Sequence, residues 1–88
     1  MRPLLTQRAY VQNTSNTLTQ LGVVAPTSAA RMLLVPAGTI NYNLNAAATT
    51  ATPQVPASGW DQPIDTGTIN QLQFIASGNT AMDVTIYC

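Results

Sequence analysis

The chain has 88 residues, of which only six are charged, three Arg and three Asp, so its net charge is zero and it has no Lys, Glu or His. An ordinary soluble domain gives about a quarter of its residues to charge, and affinity for phosphate needs clustered Lys or Arg, so three dispersed arginines argue against a direct nucleic-acid partner. Without His, Glu or Lys most groups that do acid–base work near neutral pH are missing; with one cysteine, no metal-ligand set and five glycines spread singly, the chain reads as a non-enzyme without cofactor or metal.

The N-terminal stretch Met1-Arg2-Pro3-Leu4-Leu5-Thr6-Gln7-Arg8 lacks an apolar run of signal-peptide length. No segment approaches the roughly 18 apolar residues of a membrane span, so the chain is expected to be soluble and unexported. Asn13-Thr14-Ser15 matches a glycosylation acceptor, a chance match without secretion. Through residue 25, Tyr10, Val11, Leu18, Leu21, Val23 and Val24 are scattered among Thr, Asn and Gln. Asn13 to Thr17 is poor helix sequence. Residues 1–25 are therefore expected to form an extended arm or edge segment, beside a single β-domain over 26–88. Arg2, Arg8 and Tyr10 make the arm a candidate interface, and removal of residues 1–12 is expected to leave the domain folded.

Arg31-Met32-Leu33-Leu34-Val35 is apolar on both faces and suits a central or covered strand. After the Pro36-Ala37-Gly38 break, Ile40, Tyr42 and Leu44 alternate with Thr39, Asn41 and Asn43, which predicts a strand with one buried face. The break reads as a turn pairing the two runs, because Pro fixes φ and Gly accepts positive φ.

From Asn45 to Thr68 periodicity is lost among Pro53, Pro56, Gly59, Pro63 and Gly67. Ala46 to Thr52 reads as a loop, since small side chains bury little surface to offset ordering. Trp60, flanked by Gly59 and Pro63, is read as a plug over the end of a β core, with an interface anchor or a sugar-stacking platform as the functional alternatives. Asp61 and Asp65 sit in the same stretch as loop polarity, too few for a Ca²⁺ site. Ile64 to Ile69 is expected to lead in as a short strand and turn.

The strongest pattern is C-terminal. Leu72, Phe74 and Ala76 alternate with Gln71, Gln73 and Ile75; after Ser77-Gly78-Asn79-Thr80, the residues Met82, Val84, Ile86 and Cys88 alternate with Asp83, Thr85 and Tyr87. Two such runs about a Gly-Asn turn predict a β-hairpin. Cys88 is read as an unpaired thiol. These elements make an all-β chain, a small antiparallel β-sandwich or barrel with an extended N-terminal arm. A core this small is often stabilised by oligomerisation, and a neutral surface has little charge to keep copies apart.

The segments Arg31 to Gly38, Tyr42-Asn43-Leu44-Asn45 and above all Gly67-Thr68-Ile69-Asn70-Gln71-Leu72-Gln73-Phe74-Ile75-Ala76 through Ser77-Gly78 into Asp83-Val84-Thr85-Ile86-Tyr87 resemble small virion structural proteins of tailed bacteriophages. The resemblance spans about residues 31–88. It implies a non-enzymatic capsid decoration or cement protein on the virion exterior, bridging major capsid subunits, with the major capsid protein and copies of itself as partners. Residues 1–25 lie outside the resemblance, and Arg2, Arg8, Tyr10 and Trp60 are interface candidates by residue type and position alone. A neck, tail or head-fibre component, binding host-surface glycan through Trp60, is the alternative.

Overall fold

A computed structural model describes residues 2–64 and 67–88. Among these the strands, in chain order, are β1 Pro3–Val11, β2 Asn16–Thr17, β3 Arg31–Pro36, β4 Ile40–Leu44, β5 Trp60–Pro63, β6 Leu72–Ala76 and β7 Thr80–Tyr87, with a 3-10 turn at Ile69–Gln71. They form two antiparallel sheets, ordered β1-β7-β3-β5 and β2-β6-β4. The fold is the expected all-β one, in the sandwich form.

Alternation places the core. Met32 and Leu34 of β3 and Met82, Val84 and Ile86 of β7 point in from the larger sheet; Ile40 of β4 and Leu72, Phe74 and Ala76 of β6 point in from the smaller one, all in one buried cluster. β3, apolar on both faces, lies between β7 and β5, as a central strand should.

The two expected strand pairs are corrected. β6 and β7 are not a hairpin, because β7 already has β1 on one edge and β3 on the other, while β6 lies between β2 and β4. β3 and β4 likewise belong to different sheets. Both turns carry the chain across the sandwich, so the apolar sides of consecutive strands face each other instead of lying side by side. Period-2 alternation is identical in the two arrangements, so it does not decide between them. Strand by strand, the chain alternates between the sheets from β1 to β7, so every ladder joins residues distant in sequence.

The N-terminal residues take the edge-strand form of the expectation and are built into the body. β1 pairs with β7 from Pro3 opposite Tyr87 to Val11 opposite Thr80, with an irregularity between Pro3 and Leu5. Ala9, Val11, Leu18 and Val23 are all buried in the shared core. The Cα radius of gyration is 11.7 Å, where a compact domain of this length has about 12 Å, so among the described residues the N-terminal segment lies along the body.

Trp60 to Pro63 is a strand rather than a loop. β5 pairs with β3, Leu34 opposite Trp60 and Met32 opposite Gln62, which turns Trp60 and Gln62 inward and Asp61 and Pro63 outward. The short strand and turn expected from Ile64 to Ile69 fall partly on Asp65 and Thr66, which lie outside the described residues, and a 3-10 turn begins at Ile69. The Ala46 to Thr52 segment is a loop held against the outside of the smaller sheet. Ser15 Oγ donates to Gln73 Oε1 at 2.7 Å and accepts from the Ala48 N–H at 2.9 Å. Asn43 Nδ2 donates to Ala47 O and Asn41 Nδ2 to Thr52 O, and Ala48 is buried outside the main cluster.

Candidate functional site

The outward residues of β1, β7, β3 and β5 build one continuous surface. Register places Thr6 beside Thr85 and Leu33, and Arg8 beside Asp83 and Val35. Arg8, Arg31, Asp61 and Asp83 all stand on it. Arg8 Nε donates to Asp83 Oδ1 at 3.0 Å and Arg31 Nε to Asp61 Oδ1 at 3.1 Å. The bond and charge of Asp83, followed by those of Tyr10, raise the Arg8 pKa above its ordinary value and keep it cationic. Both pairs are largely solvated, so water and salt screen them and they add little to stability. Their larger effect is to neutralise the face locally, leaving Tyr10, 49% exposed, and Val35 as its open apolar groups.

Of the four residues expected to make an interface, Arg8 and Tyr10 stand on this face along β1. Arg2 is exposed just before β1, its carbonyl accepting from the Cys88 N–H. Trp60 is not among them. It sits three strands away on β5, packed against the core, its ring centroid 4.4 Å from that of Tyr42 in the opposite sheet, tilted by 36°. It closes one side of the sandwich, as a plug would.

Sequence reasoning missed Gln62. Its inward position on β5 leaves Nε2 buried, and among the described residues it is the buried side-chain nitrogen or oxygen without a hydrogen-bond partner. It lines a cavity of about 560 Å³ at one end of the sandwich with Ala29, Leu44, Ile64, Gln71 and Leu72. An unmet buried donor costs about 1–3 kcal/mol, and an apolar group of the same shape avoids that cost. Gln62→Met is therefore expected to stabilise the fold by roughly 1 kcal/mol, about 5 °C in melting temperature. A lower melting temperature would show that the amide is satisfied by bound water.

Among the described residues no three of His, Cys, Asp and Glu lie together, and no helix is long and apolar enough to cross a membrane. Asp61 and Asp83 each face an arginine, and Cys88 is a free, exposed thiol. The arrangement supplies a neutral surface of mixed hydroxyl, aromatic and paired charged groups. No family model, curated protein or solved structure matches the chain.

Proposed function

We propose that the chain is a non-enzymatic structural subunit of a virion, a capsid decoration or cement protein that bridges and stabilises major capsid subunits from the outside. The observation that carries this reading is the outer face of the four-stranded sheet, where each of its arginines has an aspartate partner. Such a face is buried against a neighbour without leaving a charge unpaired, the costly event in desolvation. Its Tyr and Arg are the residue types that dominate interface energetics. The inward packing of Trp60 gives no support to a glycan platform.

Purified particles of the encoding phage are expected to carry the protein in numbers that scale with the capsid subunits, and particles lacking it to rupture at lower temperature. Absence from the particles, or unchanged rupture without it, overturns the reading. A copy number matching a single ring places it at the neck or tail instead.

A further inference from the structure

The sandwich has four sheet edges, and three of them are blunted. β2 is two residues long. β4 is covered, since Tyr42 N–H donates to Pro53 O, Val55 N–H to Ile40 O, and Asn41 bridges to Gln54. β5 has four residues, with Asp61 outward and Pro63 at its end. Short length, cover, charge and proline are the usual ways a protein protects an edge. β1 has nine residues, its one proline is Pro3 at the start, and its one charge, Arg8, is engaged along its own sheet by Asp83.

The open backbone groups follow from the ladder. Ala30 N–H donates to Tyr87 O and Ala37 N–H to Ala81 O, which turns the odd-numbered residues of β7 toward β3 and the even-numbered ones toward β1. Met82 and Val84 lie opposite Ala9 and Gln7. Ala9 and Gln7 therefore point their main-chain groups at β7, and Thr6, Arg8 and Tyr10 point theirs away from the sheet. The Tyr10 carbonyl accepts from Gln12 Nε2 at 3.3 Å. Among the described residues nothing bonds the N–H and C=O of Thr6 and Arg8 on that side.

We infer that this edge pairs with β1 of a second copy, antiparallel about a two-fold axis, joining two four-stranded sheets into one continuous sheet. The inference rests on the assembly reading above and names the contact. β1 complements itself. The register that overlaps the whole strand sets Pro3 opposite Val11 of the second copy and Gln7 opposite Gln7. It brings Thr6 opposite Arg8, both with outward-pointing main-chain groups, so these two residues exchange about four N–H to O=C bonds over the two symmetric pairs. No arginine meets an arginine, and Leu5 meets Ala9 on the core side. A partner strand adds main-chain bonds without needing particular side chains, and a neutral chain has no net charge to oppose its own copy.

Sedimentation of the full-length chain at about 1–100 µM, a range that brackets micromolar association, tests this. The wild type is expected to form dimers. Thr6→Pro removes an N–H that makes no bond within the fold, so it is expected to give monomers with a melting temperature close to wild type. Thr6→Lys sets a like charge opposite Arg8 twice and is expected to weaken the dimer about tenfold, while Thr6→Glu sets an opposite charge there and strengthens it. These two variants keep the test decisive if the proline variant fails to fold.

A wild-type dimer unaffected by any of the three overturns the edge contact while leaving a self-assembling subunit. A monomeric wild type overturns the second copy as occupant. If particle binding is then lost in Thr6→Pro, the edge takes a strand of the capsid protein, and the virion reading survives without self-pairing. A monomer absent from particles removes both.

Discussion

Deleting residues 1–12 is expected to leave a chain without a cooperative unfolding transition. The deletion removes β1 and with it Ala9 and Val11, which are 1% and 0% exposed, and the contact of Leu5 with the core. It also strips one edge of β7, the strand that carries Met82, Val84 and Ile86 into the interior, and the Gln12 carbonyl that accepts from the Ala76 N–H. Burial of one aliphatic side chain stabilises by about 1.5–3 kcal/mol. With the ladder lost as well, the cost reaches the whole of a stability that for a chain this short is about 4–13 kcal/mol. Because strands alternate between the sheets, no local hairpin remains to hold a partial fold. Circular dichroism melting and dispersion of the amide proton spectrum measure the outcome. A sharp transition with native dispersion in the truncated chain would show that β1 is dispensable, as a free arm would be.

The contrast between that outcome and the expectation of a removable arm shows what a sequence pattern carries. Alternation at 72–76 and 82–88 identified two strands and their buried faces, which the burial of Leu72, Phe74, Met82, Val84 and Ile86 matches. It carried nothing about which strands are neighbours, because a strand's inward face is the same whether the next strand lies beside it or across the core. The first 25 residues were hard for a different reason. Leu18 and Val23 are fully buried in a turn after a two-residue strand, where no period exists to reveal them. β5 escaped because Trp60-Asp61-Gln62-Pro63 is only four residues long and puts a Gln at an inward position. Of the candidate interface, Arg8 and Tyr10 stand two residues apart on one exposed side of β1, whereas the sequence grouped them with Arg2 only as members of one N-terminal segment. The openness of that strand's edge was not legible, since it depends on what covers the other three.

Phe74→Ala is expected to bring the domain near its stability limit, while Leu44→Ala leaves it almost unchanged, although both residues lie on the core-facing register of the smaller sheet. Phe74 is central in β6, between Asn16 of β2 and Tyr42 of β4, and has no exposed surface. Truncating such a ring costs about 3–5 kcal/mol in lost transfer energy and residual cavity. At about 4–8 °C per kcal/mol for a domain of this size, the melting temperature should fall by roughly 15–30 °C. Leu44 opposes Leu72 at the open end of β4 and is 56% exposed, so its truncation removes little buried surface and should cost less than about 1 kcal/mol. Thermal melts of the two variants beside wild type give the comparison directly. Equal losses would mean that the end of the sandwich around Leu44 is closed in solution. A small loss at Phe74 would mean that the two sheets do not share one close-packed core.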